Sequence, residues 1–319
     1  MNDLAVRFHD LNPPGTGMLR EVLDGLLRKP PMLSPKFFYD HRGSELFEAI
    51  TRTPEYYLFR TELALLERHG AEMAALLGSD CLLVELGSGA SRKIRLLLDA
   101  LRPAVYMPVD ISRDFLLEAA SELAADYPAI QVHATCADYS RGLELPRLAE
   151  ELPRAAFFPG SSIGNFEPAQ ARQLLQHVAR ALGRGGHLLI GVDLQKERAV
   201  LNRAYNDAAG HTAAFNLNLL AHLNREIGTD FDLAGFRHCA YYNSTAERVE
   251  MHLVSRAIQQ VNVGGQRISF RRGDTIHTEN SYKYTFDSFT QMAKAAGFVP
   301  VRVWTDEREY FSVHCLRVV

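Results

Sequence analysis

Beyond Arg60, apolar positions recur at helical spacing through "TELALLERHGAEMAALLG". The apolar run "CLLVEL" follows and predicts a buried strand, and "GSG" predicts a turn. "SRKIRLLLDALR" returns to helical spacing, with Ile94, Leu97, Leu98 and Leu101 on one side. "AVYMPVD" predicts a second strand that ends on Asp110, and "SRDFLLEAASELAADY" a helix with Ser112 as its N-cap. "IQVHATCAD" predicts a third strand, ending on Asp138. "AAFFPGSSIGNF" holds a fourth, "PAQARQLLQHVARAL" the helix after it, and "GHLLIGVDL" a fifth. Strands that alternate with helices at this pace predict a parallel sheet with helices on both faces.

The rhythm then changes. Residues 197–235 carry helical spacing, and residues 238–285 predict antiparallel strands with "VGGQ" and "RRGD" as turns. The closing segment "TFDSFTQMAKAAGFVPVRVWTDEREYFSVHCLRVV" predicts helix, strand, turn and strand. That is what a Rossmann-like sheet needs for a sixth strand and an antiparallel seventh. The expected fold is therefore α/β: a Rossmann-like sheet from residues 61–196 and 286–319, and a second, α+β domain from residues 1–60 and 197–285. The first sixty residues, rich in proline and aromatics, join the second domain because they lack the sheet rhythm.

Composition narrows the setting. The chain has 319 residues, 47% of them hydrophobic, which suffices for one large core or two ordinary ones. A net charge of −3 argues against nucleic-acid binding through bulk charge. Apolar stretches are short, so no membrane span is expected, and the first residues lack the build of a signal peptide. Cys81, Cys136, Cys239 and Cys315 are scattered, as buried thiols in a reducing compartment would be. The 12 histidines show no tight ligand spacing, so no metal is predicted. The expectation is a soluble, cytoplasmic monomer acting on a small molecule, without nucleic-acid or membrane partners.

In a doubly wound sheet, ligands bind beyond the carboxyl ends of the strands. A dinucleotide turn reads GxGxxG, but here Gly87 and Gly89 are followed by Arg92 where a third glycine would stand. This disfavours a nicotinamide oxidoreductase. Glu85 precedes Gly87 by two positions, and "E-x-G-x-G" resembles the S-adenosylmethionine turn of class I methyltransferases. Asp110 would accept the ribose hydroxyls and Asp138 the adenine amine, with Tyr139 packed on the ring. A plain structural turn also fits an isolated GxG. Read alone, Lys93 is a solvated residue of a first helical turn.

The sequence as a whole resembles the histidine-specific Nα-methyltransferases of ergothioneine biosynthesis. The resemblance runs nearly end to end. Its most specific segments are "PKFFYDHRGSELFEAITRTPEYYLFRTE", "VELGSGASRK", "GSSIGNF", "AYNDAAGHTAAFNLNLL", "ERVEMHL" and "TENSYKY". It implies S-adenosylmethionine as the cofactor, L-histidine as the substrate and its Nα-trimethylated form, hercynine, as the product. It implies cofactor contacts for Tyr56, Gly87, Lys93, Asp110, Asp138 and Tyr139. Tyr39, Phe47, Tyr56, Gly160, Asn165 and Tyr205 would surround the substrate's amino and carboxylate groups, with Tyr39, Asn165 and Tyr205 in catalytic roles. Met251, Glu279 and Ser281 would surround the imidazole. Two positions depart from the family pattern: Tyr139, where phenylalanine is common, and Pro159, just before the glycine of "GSSIGN".

These residue types suit such chemistry. On a strand, Glu279 and Ser281 point to one face and would grip an imidazole together. A substrate without that ring would leave a buried carboxylate unpaired, a penalty sites use to reject analogues. A strand with its polar face in water is the alternative reading of those two residues. Asn165 could serve as a turn residue, and Tyr39, Phe47, Tyr56 and Tyr205 as core aromatics. Ring faces also attract cationic ligands. The competing functions are methylation of another amino acid, such as tryptophan, and cofactor binding without catalysis.

Overall fold

The computed structural model describes residues 6–11, 17–89, 92–146 and 151–319; Ala90 and Ser91 of the glycine turn lie outside them. Along the chain, β1 is Val6–Asp10, α1 Met18–Leu26, α2 His41–Thr51, α3 Tyr57–Leu77 and β2 Leu82–Leu86. Then come α4 Arg92–Leu101, β3 Val105–Asp110, α5 Arg113–Asp126, β4 Gln131–Cys136, β5 Arg154–Phe158, α6 Pro168–Leu182 and β6 His187–Asp193. The next segment holds α7 Arg198–Ala204, α8 His211–Ile227, β7 Phe236–Asn243, β8 Arg248–Ser255, β9 Gln259–Val263, β10 Gln266–Phe270 and β11 Thr275–Tyr282. The chain closes with α9 Phe286–Ala295, β12 Phe298–Thr305 and β13 Phe311–Val318. It divides into two compact units: residues 1–12, 58–195 and 282–319 form one, and residues 13–57 and 196–281 the other.

The first unit is built on one sheet in the order β1-β4-β3-β2-β5-β6-β13-β12. Strands β1 to β6 run parallel, and β13 is antiparallel to both β6 and β12. Every residue of β2 is buried, which is why that strand is apolar but for Glu85. One face packs Leu82, Val84, Val105 and Met107 with Leu174, Leu175 and Val178 of α6 and Phe289 of α9. Helix α6 opens with Pro168 in its first turn and a Glu167–Gln170 capping box. Ser112 stands at the N-cap of α5 as predicted, but its side chain makes no capping hydrogen bond.

The start of the chain departs from expectation. Residues 1–60 were assigned to the second domain, yet β1 lies parallel to β4, with Val6 opposite Val132 and Asp10 opposite Cys136. A single five-residue strand paired with a partner 126 positions away leaves no local rhythm to detect. The two units also part at 57/58, 195/196 and 281/282, a few residues from the expected limits.

The second unit combines α1, α2, α7 and α8 with a β11-β8-β7 sheet and a β9-β10 hairpin. The hairpin turns at Gly264 and Gly265, whose φ values of +58° and +85° favour glycine. Phe38 stacks on Phe215 of α8 at 4.5 Å between ring centres, and Asp40 caps α2 through the Gly43 amide at 2.6 Å. Asn218 of α8 donates to the same Asp40 carboxylate at 2.8 Å and Arg225 pairs with it at 2.8 Å, tying α2 to α8.

Candidate active site

In the first unit, four candidates lie at or just after the carboxyl ends of β2, β3 and β4. Gly87 turns the chain with φ +70°, donating its amide to the Val109 carbonyl at 2.8 Å. A Cβ at Gly87 would lie 3.3 Å from the Tyr139 hydroxyl, so the position leaves room for little more than hydrogen. Asp110 ends β3 and spans two loops: it accepts the Ser112 amide at 2.9 Å and the Gly89 amide at 3.4 Å. Burial raises its pKa, opposed by those amides. Tyr139 leans edge-on against Phe158 at 5.8 Å, and burial raises its phenol pKa as well. Asp138 caps its own short turn by accepting the Ser140 amide at 3.2 Å.

Two further candidates lie beside this turn. A Cβ at Gly160 would come 3.9 Å from the Lys93 ammonium. Gly160 and Ser161 both take left-handed backbone, with φ +77° and +59°, and so aim "GSSIGN" out of the sheet at the end of β5. Asn165 closes the short helical turn that follows and is half-buried. Pro159 accepts the Ser162 hydroxyl at 3.0 Å through its carbonyl, and the Gly160 amide donates to the Glu62 carboxylate at 2.8 Å.

This surface fits an amino-acid nucleoside. The glycine turn carries no side chain at Gly87 or Gly89, and Asp110 and the Lys93 ammonium, paired with Glu62, would offer such a group a carboxylate and a cation. The Ser88 hydroxyl, between the two glycines, is buried without a hydrogen-bond partner among the described residues. Glu85 is buried and accepts the Tyr106 hydroxyl, and burial raises its pKa to about 8.

In the second unit, the candidates for substrate form a connected wall. Tyr39 meets Phe47 edge-on at 6.0 Å, Phe47 meets Tyr56 at 6.1 Å, and Tyr56 meets Tyr205 at 6.3 Å. The Tyr205 hydroxyl then donates to the Ser281 hydroxyl at 2.7 Å. Tyr56, assigned above to cofactor and substrate alike, thus belongs to the second unit, apart from the other cofactor candidates. Glu279 and Ser281 are 7% and 3% exposed, so neither lies on a solvated strand face. Met251 is buried on β8, and its carbonyl accepts the Thr278 hydroxyl of β11 at 3.1 Å.

Sequence reasoning missed several residues here. Phe215 touches Phe38, Tyr39 and Phe47, and its only signal was its place in "AYNDAAGHTAAFNLNLL". Glu62 is fully buried beneath Lys93; it was detectable as an acid on the apolar stripe Leu58, Leu65, Leu66 and Met73 of α3. Asp193 and Lys283 form a fully buried ion pair at 2.7 Å. Glu250, His252 and His277 offer an oxygen and two ring nitrogens within 4.8 Å of one another, a metal-type donor set from two strands that short spacing could not reveal. Burial alone would raise the Glu250 pKa, but hydrogen bonds from Arg248, Tyr241, His252 and Asn243 hold it at about 2. Arg248, 2.9 Å from that carboxylate, supplies the positive charge a cation would otherwise bring.

A parallel sheet closed by an antiparallel strand, with a glycine turn and acid-ended strands at its carboxyl edge, is the fold of a class I S-adenosylmethionine-dependent methyltransferase. The sequence profile of the S-adenosylmethionine-dependent histidine-specific methyltransferases matches residues 18–318, and the chain belongs to that family. It is 43% identical to the histidine N-alpha-methyltransferase of Mycolicibacterium smegmatis over 301 residues, 92% of each chain. It is 33% identical to ergothioneine biosynthesis protein 1 of Neurospora crassa, over 90% of this chain and 33% of that one. With the 4-dimethylallyltryptophan N-methyltransferase easF of Aspergillus fumigatus it shares 26% identity over 89% of each chain. Among the described residues, no helix is long and apolar enough to cross a membrane.

Proposed function

We infer that this enzyme methylates the α-nitrogen of L-histidine three times, with S-adenosylmethionine as donor, to give hercynine. The observation that carries the reading is the 43% identity to a histidine N-alpha-methyltransferase, which spans 92% of both chains. Tyr56, Gly87, Lys93, Asp110, Asp138 and Tyr139 would hold the cofactor. Bound there, the cofactor supplies an electrophilic methyl group. The chain's own task is to bind and orient the amine and keep competing nucleophiles out, and positioning of this kind supplies roughly 7–11 kcal/mol in favourable cases.

Each residue type has a defined part. Glu279 accepts an imidazole N–H while the Ser281 hydroxyl, oriented by Tyr205 at 2.7 Å, meets the other ring nitrogen. Met251 packs on the ring. The half-buried Tyr39 and Phe47 turn aromatic groups toward an amine that gains permanent charge at the third transfer. Gly160 offers backbone and Asn165 both a donor and an acceptor to the amino and carboxylate groups. The α-amine needs no strong base: its ordinary pKa near ~8 leaves a usable neutral fraction at physiological pH.

A tryptophan-type substrate is the second reading, because a dimethylallyltryptophan N-methyltransferase is 26% identical to this chain. An indole has one N–H and no second ring nitrogen, so it would leave part of the Glu279–Ser281 pair unused. The test is mass spectrometry of histidine and tryptophan incubated with enzyme and S-adenosylmethionine. Successive methyl additions to histidine, ending at three, are expected. Absence of any gain on histidine, or preference for tryptophan, overturns the reading. Glu279→Ala should cut histidine turnover by ~10⁴ or more and leave cofactor affinity within about twofold; equal loss of both contradicts the clamp.

A further inference from the structure

The Glu62 side chain is completely buried in helix α3, and its carboxylate reaches two segments of the first unit at once, the first turn of α4 and the loop after β5. On one side it accepts the Lys93 ammonium, which also sits 4.7 Å above the Phe59 ring. On the other it accepts the Gly160 amide with both oxygens, at 2.8 and 3.1 Å. The strand beneath is shaped to receive it: a Cβ at Gly191 of β6 would lie 2.1 Å from the Glu62 carboxylate oxygen. The same loop is pinned a second time, because the Asp193 amide donates to the Ser161 hydroxyl at 2.9 Å.

We propose that Glu62 is a positioning residue that fixes the Lys93 ammonium and the Gly160–Ser161 turn in one arrangement. This rests on the methyltransferase reading, in which Lys93 meets the cofactor's α-carboxylate and Gly160 meets the substrate. Glu62 touches neither ligand and acts through both segments. A lysine side chain loses substantial rotamer freedom when it is held. Glu62 and Phe59 impose that restriction before the ligand arrives, so the ligand's carboxylate finds the ammonium already in place. The left-handed pair Gly160–Ser161 needs outside restraint to persist, and the Glu62–Gly160 bonds supply it.

A double-substitution cycle with Glu62→Gln and Lys93→Met tests this. Cofactor Kd is measured by titration calorimetry, histidine kcat and KM at saturating cofactor, and folding by unfolding melts. Glu62→Gln removes the charge and replaces one carboxylate oxygen by an N–H donor, leaving a single acceptor for the Lys93 ammonium and the Gly160 amide, and its expected effect is a roughly tenfold weaker cofactor Kd with a fall in kcat. In the Lys93→Met background the same substitution should change Kd less than twofold, because its route of action has gone. An unchanged Kd in Glu62→Gln, or effects that multiply in the double variant, overturns the proposal. Hydrogen exchange on the unsubstituted protein gives a check independent of variant folding: the Gly160 amide should be strongly protected, and free exchange there overturns the proposal. Failure of the unsubstituted enzyme to bind S-adenosylmethionine would instead refute the reading on which the proposal stands.

Discussion

Removing one member of the buried pair Asp193–Lys283 should damage the first unit far more than removing both. The two side chains are 0% exposed and meet at 2.7 Å. Lys283→Met leaves the Asp193 carboxylate without its counter-ion in a place water does not reach. Breaking a buried pair from one side costs about 3–5 kcal/mol. A ceiling follows from protonation: a carboxyl of ordinary acidity takes up a proton at pH 7 for about three units, or roughly 4 kcal/mol. The expected loss is therefore about 3–4 kcal/mol, a fall in melting temperature on the order of 10 °C for a unit of this size. The double variant Asp193→Asn, Lys283→Met should recover at least half of it, since an uncharged pair has no desolvation debt. The chain's one tryptophan, Trp304, is 4% exposed, belongs to the first unit and donates to Glu72 at 2.8 Å, so its fluorescence in urea follows that unit alone. A Lys283→Met loss below about 1 kcal/mol, or a double variant as unstable as the two losses added, would refute the reasoning.

Two further outcomes are expected. Burial holds the proton on Glu85 up to about pH 8 in the fold, against an ordinary value of 4.5 in the open chain. Its contribution is therefore complete below pH 4.5 and is lost as pH rises through about 8, and Glu85→Gln should flatten that decline in melts across the range. A slope unchanged by the substitution contradicts the assignment. Tyr205→Phe deletes the donor to Ser281, and histidine kcat/KM should fall by roughly tenfold while cofactor Kd stays put. Histidine kinetics indistinguishable from the unsubstituted enzyme would show that this bond does not orient Ser281.

The parallel core was legible because a strand buried on both faces is mostly apolar, as "CLLVEL" is apart from Glu85, and because helix faces such as Ile94, Leu97, Leu98 and Leu101 repeat at a fixed spacing. The turns at "VGGQ" and "RRGD" were legible for the same local reason: Gly264, Gly265 and Gly273 carry the positive φ those turns need. Strand β1 was not, since a short edge strand is defined by a distant partner. The site divided similarly. Gly87, Asp110 and Tyr139 lie at strand ends, which rhythm locates. Glu62 and Lys283 are charged residues whose burial depends on counter-charges elsewhere in the chain; the apolar stripe of α3 marks Glu62, but nothing in its neighbours announces Lys283. The roles proposed for Glu279 and Met251 came from resemblance, because alternation on a strand cannot tell a ligand-facing carboxylate from a solvated one.

The position of β13 governs the order in which the protein can be made. This strand is inserted between β6 and β12, yet it is translated after both. Until it emerges from the ribosome, the first unit carries two raw sheet margins facing an unfilled slot, the kind of surface that recruits foreign strands. Every residue of the second unit has been synthesised by Ser281, so that unit is free to close earlier. A nascent chain halted before Phe311 would then hold one finished lobe and one unzipped one, and chaperone demand should concentrate on the latter.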